Sequence, residues 1–185
     1  IDGSTGKILW DRFVIGGISS ELVFEDGTLF VGTDGGELIA IDPDDGSQRW
    51  AYRLNGAVMK APLLVGNLVI AVDGTNTVYA LDASTGEWAW QYRRELPGHF
   101  ATYGEAAPTV FMGRLHIGFS DGYIVTLDAL DGSVVWLKNL APNETEFTDA
   151  DARPVVVDGR LYVASISGGL YALNPENGDT LWTAD

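Results

Sequence analysis

A short motif recurs five times along the chain and constrains the fold more than any other feature of the sequence. It consists of an apolar residue, Asp or Asn, three turn residues, Gly, three further residues and Trp. Successive Trp positions are 40, 40, 46 and 46 residues apart. A repeat of this length is typical of a small antiparallel sheet of four strands. The copies lie in segments 1–10, 40–50, 80–90, 126–136 and 172–182.

The residues between the motifs predict further strands. Three short segments with alternating apolar residues precede each later copy, and they are separated by turns such as Asp34-Gly35-Gly36 and Asp121-Gly122. Alternation with a period of two predicts half-buried strands, and Gly supplies the positive φ that tight hairpins need. Because a lone four-stranded sheet cannot bury both faces, the repeats must stack around an axis. The sequence therefore predicts an all-β protein, a β-propeller of four-stranded antiparallel blades.

The repeats divide the 185 residues into four complete blades and one additional strand. We expect a single propeller fragment that forms an arc of an eight-bladed ring, although four blades could also close alone as a small ring. Self-association of two half-rings would cover the apolar blade faces that an arc leaves open. The expected boundaries are an outer strand of a preceding blade at 1–11 and blades at 12–52, 53–92, 93–138 and 139–185.

Two positions of the motif are expected to hold the blades together. A Trp on the outer strand can wedge against the neighbouring blade and bury on the order of 150 to 250 Å² of aromatic surface. The Gly closes the turn in a left-handed conformation, and the Asp or Asn that begins the turn can accept a backbone hydrogen bond. The predicted structural residues are Trp10, Trp50, Trp90, Trp136 and Trp182, with Gly6, Gly46, Gly86, Gly132 and Gly178.

Charge and cysteine content exclude several classes of function. Lys and Arg number 11 against 26 Asp and Glu, so the formal net charge is -15. A surface of this sign repels phosphate backbones and anionic lipid head groups, so nucleic acid is not expected as a partner. The chain has no Cys, which excludes disulfides and thiolate metal sites. No apolar run approaches the ~18 residues of a membrane-spanning helix, so no direct membrane span is expected.

Patterns that could indicate catalysis or metal binding have structural explanations. Residues 118–122 match the G-x-S-x-G of a hydrolase nucleophile elbow, but the same segment of the other repeats is a hairpin turn. His99 and His116 lack the spacing of a zinc site, and the acidic run 42–45 lacks the spaced ligands of a calcium loop. We therefore predict no catalytic, cofactor-binding or metal-ligating residue, and we do not expect an enzyme.

The repeat resembles that of a known group of bacterial propellers. The motif A-[LI]-[DN]-x-x-x-G-x-x-x-W, preceded by P-V-V-V-D-G-x-L-Y-V, is similar to the PQQ-like repeat of eight-bladed propellers over essentially the whole chain. Two families share it: the quinoprotein alcohol dehydrogenases, which carry pyrroloquinoline quinone, and the BamB family of outer-membrane protein assembly factors, periplasmic lipoproteins that carry none. Loops 100–108 and 148–154 resemble the BamB loops G-E-[SA]-A-P and [ST]-D-V-D-x-x-P, so the chain is most similar to BamB.

The BamB resemblance implies a function without catalysis or cofactor. It implies a periplasmic scaffold that docks onto a BamA-like barrel-assembly protein during the assembly and insertion of outer-membrane β-barrel proteins. It also implies association with the outer membrane through a lipid anchor absent from this chain. A quinoprotein dehydrogenase fragment and an extracytoplasmic binding or sensor module are the alternatives. The partner-binding residues that the resemblance implies are Phe100, Thr102, Tyr103, Glu105, Asp149 and Asp151.

Overall fold

The described residues form four antiparallel sheets of four strands each, as the sequence predicts. The computed structural model describes residues 1–96, 106–141, 148–150 and 152–184. Over these ranges sixteen strands and no helix are formed, and each sheet orders its strands as they follow in the chain. Accordingly, the described residues include no apolar helix that could cross a membrane. The prediction of an all-β fold built of four-stranded blades is confirmed.

The strands of each blade run from the first strand to the Trp-bearing fourth strand. Blade 1 contains β1 (Val23–Glu25), β2 (Thr28–Gly32), β3 (Glu37–Ile41) and β4 (Gln48–Arg53). Blade 2 contains β5 (Leu63–Val65), β6 (Leu68–Asp73), β7 (Thr77–Asp82) and β8 (Trp88–Arg93). Blade 3 contains β9 (Thr109–Phe111), β10 (Arg114–Gly118), β11 (Tyr123–Asp128) and β12 (Val134–Asn139). Blade 4 contains β13 (Val155–Val157), β14 (Arg160–Ser165), β15 (Gly169–Leu173) and β16 (Thr180–Ala184).

The hydrophobic core lies between the blades rather than at the centre of one compact unit. The middle strands of blade 2 are buried on both faces, and β6 is buried along its whole length. One face contributes Ile70 and Val78 to a cluster with Leu115 and Val125 of blade 3. The other face packs on blade 1. Runs of apolar residues in these strands therefore reflect packing on two sides.

Each of the first four motif Trp residues docks on the Gly of the following repeat. The Trp50 ring lies against Gly86 so closely that a Cβ built on this glycine would be 2.7 Å from Cδ2 of the indole. The Trp50 Nε1 donates a hydrogen bond of 2.9 Å to the carbonyl of Ala83, within the same turn. The other pairs are Trp10 with Gly46, Trp90 with Gly132 and Trp136 with Gly178, with indole hydrogen bonds of 2.8, 3.2 and 3.0 Å.

The turn that receives the Trp is organised by the Asp that begins it. In blade 2 the Asp82 Oδ1 accepts hydrogen bonds from the backbone N–H groups of Ser84 and Thr85, each 2.9 Å long. The Ser84 hydroxyl donates to the same oxygen, and together these bonds lower the pKa of Asp82 to about 2. Gly86 closes the turn with φ 75°. Because a left-handed φ and the docked ring both exclude a side chain, only Gly fits this position.

The segment before blade 1 covers that blade without forming a strand. Residues 1–11 are expected to be the outer strand of a preceding blade; in the structure they pair with no described strand, and the expectation stays a prediction. Trp10 and Val14 instead pack on Val31, Ile39 and Ile41 of blade 1. The docked side chain of Trp10 therefore anchors this segment to blade 1.

Replacing a docked Trp should destabilise the fold far more than replacing an exposed one. Trp90→Ala removes a buried indole and its hydrogen bond to Ala129, so we expect the free energy of unfolding to fall by about 3 to 5 kcal/mol. Trp88→Ala is the matched control, because Trp88 lies two residues earlier on the same strand and is 53% exposed. Its loss should cost less than about 1 kcal/mol. Denaturant unfolding measures both, and equal losses would contradict the docking role.

Candidate partner-binding site

The segments that connect successive blades lie at one end of the arc. The N–H of Val58, between blades 1 and 2, donates to the carbonyl of Thr33 in the β2–β3 turn. Between blades 3 and 4, the N–H of Ala150 donates to the carbonyl of Phe119 in the β10–β11 turn. We call this end, formed by the connecting segments and the hairpin turns between the second and third strands, the loop end. The described part of loop 148–154 belongs to it.

Most of the residues predicted to bind a partner lie outside the described residues. These are Phe100, Thr102, Tyr103, Glu105 and Asp151. The structure therefore does not test whether they form one contiguous patch, and their role stays a prediction.

Asp149 is the one predicted partner-binding residue that the structure describes. It is fully buried, and its backbone carbonyl accepts a hydrogen bond of 3.0 Å from the N–H of Ile166 in the next hairpin turn. Neither carboxylate oxygen has a hydrogen-bond partner among the described residues. A buried polar group without a partner is costly and needs an explanation. The carboxylate can reach a binding partner only after neighbouring residues move aside.

A series of hydrogen bonds at the loop end links blades 2, 3 and 4. The Asn76 Nδ2 donates to the Ser120 Oγ at 2.8 Å, which joins two hairpin turns. The Thr148 hydroxyl donates to the Ser120 carbonyl, and the Ser165 hydroxyl donates to the Thr148 carbonyl. No sequence motif predicts these hydrogen bonds, because Asn76 and Ser120 are 44 positions apart and belong to no common motif. The series stabilises the relative positions of three blades beside Asp149.

Arg94 forms an ion pair within the loop end. Its guanidinium contacts the Asp121 carboxylate at 2.5 Å and lies 4.2 Å from the centre of the Tyr123 ring. Burial opposes the charged form, but the hydrogen bonds from Arg94 to Asp121 and Tyr92 outweigh it and raise the pKa of Arg94. The neighbouring Arg93 is exposed. Of the two adjacent arginines, Arg94 therefore has a structural role and Arg93 remains accessible to a partner.

The G-x-S-x-G segment is a hairpin turn between β10 and β11. The N–H of Gly122 donates to the carbonyl of Phe119, which closes the turn, and Ser120 is nearly fully buried. The Ser120 hydroxyl accepts a hydrogen bond from Asn76 and contacts no histidine among the described residues. A strand, β11, follows the turn. Since a nucleophile elbow needs an exposed Ser before a helix, this segment does not have that geometry.

The described residues include few side chains arranged to bind a metal or a cofactor. They contain no group of three His, Asp or Glu side chains that could hold a metal ion. A cleft of about 390 Å³ lies between blades 1 and 2, beside Thr28, Phe30 and Arg49. The Arg49 guanidinium is already paired with Asp42 at 2.7 Å and donates to the Thr28 hydroxyl. Among the described residues that line this cleft, the one cationic side chain is therefore already paired.

Comparisons with known proteins identify the family. The family model described as "Outer membrane protein assembly factor BamB" matches residues 1–185. The chain belongs to the BamB family. It is 34% identical over 140 residues to the BamB of Burkholderia pseudomallei, which covers 74% of this chain and 35% of that protein. The crystal structure of BamB from Moraxella catarrhalis superposes with a TM-score of 0.81 at 30% identity, covering 96% of this chain and 53% of that one.

The chain is also similar to quinoproteins, and each match covers only part of the relative. The dehydrogenase subunit of the quinone-dependent alcohol dehydrogenase of Gluconobacter oxydans is 31% identical over 104 residues, which cover 52% of this chain and 14% of that protein. The chain spans about a third of the length of the curated BamB proteins that it matches. These matches therefore compare this chain with only part of each relative.

His116 makes the stability of the blade 3–blade 4 interface depend on pH. Its ring is fully buried, its Nδ1 lies 2.7 Å from the Thr126 hydroxyl, and its ring centre is 6.0 Å from that of Trp136. Burial, followed by the charge of Arg114, lowers the pKa of His116 from 6.5 to about 4. The unfolded chain therefore binds a proton between pH 6.5 and 4 that the folded chain does not bind. The free energy of unfolding should fall as pH drops through this window, by up to about 3 kcal/mol.

One substitution separates the contribution of His116 to the pH dependence of the unfolding free energy from the contribution of the Asp and Glu side chains. Phe30 occupies in blade 1 the position that His116 occupies in blade 3, so His116→Phe keeps an aromatic ring at the site. The difference in unfolding free energy between the variant and the parent should grow in favour of the variant from pH 7 to pH 4.5. A difference that is constant over this range would contradict the lowered pKa.

Proposed function

We propose that this protein acts without catalysis as a periplasmic scaffold in the assembly and insertion of outer-membrane β-barrel proteins, by docking onto a BamA-like barrel-assembly protein. The observation that carries the proposal is the match of the BamB family model to the whole chain. We assign the protein to the periplasmic side of the outer membrane, with a lipid anchor outside this chain, on the same family membership.

The loop end is the proposed docking surface. The described part of loop 148–154 forms hydrogen bonds with the hairpin turns of two blades, and the Asn76–Ser120–Thr148–Ser165 series of hydrogen bonds lies beside it. A docking surface needs loops held on a rigid scaffold. The carboxylate of Asp149, which has no hydrogen-bond partner among the described residues, supports the proposal as well, because a partner with a basic side chain could donate hydrogen bonds to it.

Binding of the partner should depend on Tyr103 and Asp149. In a calorimetric titration of the chain with the periplasmic domains of the BamA-like protein, Tyr103→Ala with Asp149→Ala should weaken the affinity about tenfold or more. The Tyr supplies an aromatic anchor and the Asp an orienting charge. The matched control is Trp88→Ala with Asp44→Ala, which also removes one aromatic side chain and one carboxylate, both of them exposed.

The folding of each variant is checked by denaturant unfolding, because Asp149 is buried. If Asp149→Ala alters the fold, Tyr103→Ala and Asp149→Asn are titrated separately. An unchanged affinity in these variants, or an equal loss in the control pair, would contradict the proposed surface.

The quinoprotein relatives make a dehydrogenase the second candidate. Such an enzyme needs a calcium-supported quinone site, yet the described residues hold no carboxylate or histidine group of the required size, and they do not fit this cofactor. We therefore expect no oxidation of alcohols by the chain with added pyrroloquinoline quinone and calcium, measured with an electron-accepting dye. A quinone-dependent rate above that of the quinone and calcium without protein would favour the dehydrogenase.

We also propose that the chain self-associates as half-rings. Blade 4 exposes Val155, Leu170 and Trp182, a set of apolar side chains that soluble proteins normally cover. Self-association and docking onto the barrel-assembly protein use different surfaces, so that either can occur without the other.

A further inference from the structure

The cleft between blades 1 and 2 lies at the opposite end of the strands from the loop end. It is bounded by the β1–β2 turn of blade 1 and by the β5–β6 and β7–β8 turns of blade 2. The loop end is formed instead by the turns between the second and third strands. With a volume of about 390 Å³, the cleft is in the size range of sites that bind small groups. It is therefore a separate candidate site between two adjacent blades.

The cleft exists because one pair of residues differs between successive blades. In blade 1, Glu25 and Thr28 are directly paired across β1 and β2, and both line the cleft. In blade 2 the equivalent pair is Val65 and Leu68, and both pack into the hydrophobic cluster with blade 3. Thr is smaller than Leu, and a carboxylate stays in contact with water. The pair in blade 1 therefore leaves open the space that the pair in blade 2 fills.

The cleft combines an apolar lining with two accessible carboxylates. Phe30, Leu64 and Ala83 form its apolar part. Glu25 and Asp26 also line it, both are exposed, and neither forms an ion pair with a described residue. A Lys or Arg side chain buries its aliphatic stem on apolar surface and keeps its charged end in a polar environment. The two parts of the cleft match the two parts of such a side chain.

Arg49 also lines the cleft, but it does not neutralise these two carboxylates. Its guanidinium contacts the Asp42 carboxylate at 2.7 Å and donates to the Thr28 hydroxyl at 2.6 Å. Because the Arg49–Asp42 pair carries no net charge, Glu25 and Asp26 leave the cleft negatively charged. The formal net charge of the whole chain, -15, also attracts cationic groups. Charge therefore favours a cationic ligand over an anionic one.

The equivalent cleft between blades 3 and 4 already contains a cationic side chain of the protein itself. Phe111 and Arg114 are paired there in the place of Glu25 and Thr28. Arg114 reaches across to blade 4 and donates a hydrogen bond of 2.9 Å to the carbonyl of Glu176. This cleft is smaller, with a volume of about 220 Å³. A basic side chain thus lies between blades at the position that is open in the cleft between blades 1 and 2.

We propose that the cleft between blades 1 and 2 binds a Lys or Arg side chain of a partner polypeptide. The aliphatic stem packs on Phe30 and Leu64, and the charged end donates hydrogen bonds to the carboxylates of Glu25 and Asp26. Asn67 lies exposed at the edge of the cleft, where its amide has the donor and the acceptor that pair with a peptide backbone. The proposal does not depend on docking at the loop end, because the two surfaces lie at opposite ends of the strands.

An NMR titration that resolves the backbone amides of the 185-residue chain tests the proposal. The probe is Nα-acetyl-lysine methylamide, and the matched control ligand is Nα-acetyl-norleucine methylamide, which has the same aliphatic chain without the ammonium group. We expect saturable shifts of the amides of Leu64, Gly66, Asn67 and Ser84, with a dissociation constant on the order of 1 to 10 mM for a ligand of this size. The norleucine ligand should bind about tenfold more weakly or less.

Two substitutions in the cleft should each raise the dissociation constant of the lysine probe about tenfold or more. Thr28→Leu fills the cleft with the residue that blade 2 has at the same position, and Glu25→Gln removes one carboxylate. Glu87→Gln is the matched control, because Glu87 is exposed in the β7–β8 turn and does not line the cleft. Its dissociation constant should change less than about twofold. If Thr28→Leu shifts amides far from the cleft, Glu25→Gln alone decides.

Several results would overturn the proposal. Absence of saturable shifts at the cleft would exclude the site, and equal binding of the norleucine ligand would exclude a role for the carboxylates. An equal loss in Glu87→Gln would assign the binding to general attraction by an acidic surface. If 1,5-diaminopentane binds about tenfold more tightly than the capped lysine, the ligand is a free polyamine rather than a polypeptide. Calorimetry with the BamA-like protein tests the proposed scaffold function separately, with variants at the loop end.

Discussion

The packing of a Trp from one blade on a Gly of the next is the contact on which the rest of the structure depends. A four-stranded blade cannot bury both of its faces alone, so its stability comes from its neighbours. The indole occupies the space that a Cβ of the glycine would need, and its N–H satisfies a carbonyl in the same turn. Gly is required there both by the left-handed φ and by the close approach of the ring. The contact thus specifies which blades meet and in what register.

The hydrogen bonds of the loop end depend on this packing between blades. Once blades 2, 3 and 4 are held in register, the hairpin turn of one blade comes within hydrogen-bond distance of its neighbours, as Asn76 and Ser120 show. The Arg94–Asp121 pair forms in the same way, between residues 27 positions apart. The described part of loop 148–154 forms hydrogen bonds with these turns. A binding loop on such a support loses less conformational freedom when a partner docks.

Two polar side chains, His116 and Asp149, are buried although they have polar atoms without a hydrogen-bond partner among the described residues. His116 stands on a blade face where the equivalent residues are Phe30, Ile70 and Tyr162, and its Nε2 has no partner among the described residues. Burial keeps its ring neutral at pH 7, which links the stability of one blade interface to pH. Asp149 is the corresponding case at the loop end, where a buried carboxylate has no hydrogen-bond partner among the described residues.

The sequence by itself determined the blades, the strand count and the turns, because alternation and turn chemistry act over a few neighbouring residues. The first and last copies of the motif, which contain Trp10 and Trp182, are alike in sequence, and the sequence predicts the same structural role for both Trp side chains. Only the tertiary structure distinguishes them, because Trp10 docks on Gly46, whereas Trp182 and Gly6 form no such contact with another described residue. The burial of Asp149 and the pairing of Arg94 with Asp121 were also decided there. Such contacts depend on which blades pack together, and no local pattern of residues carries that information.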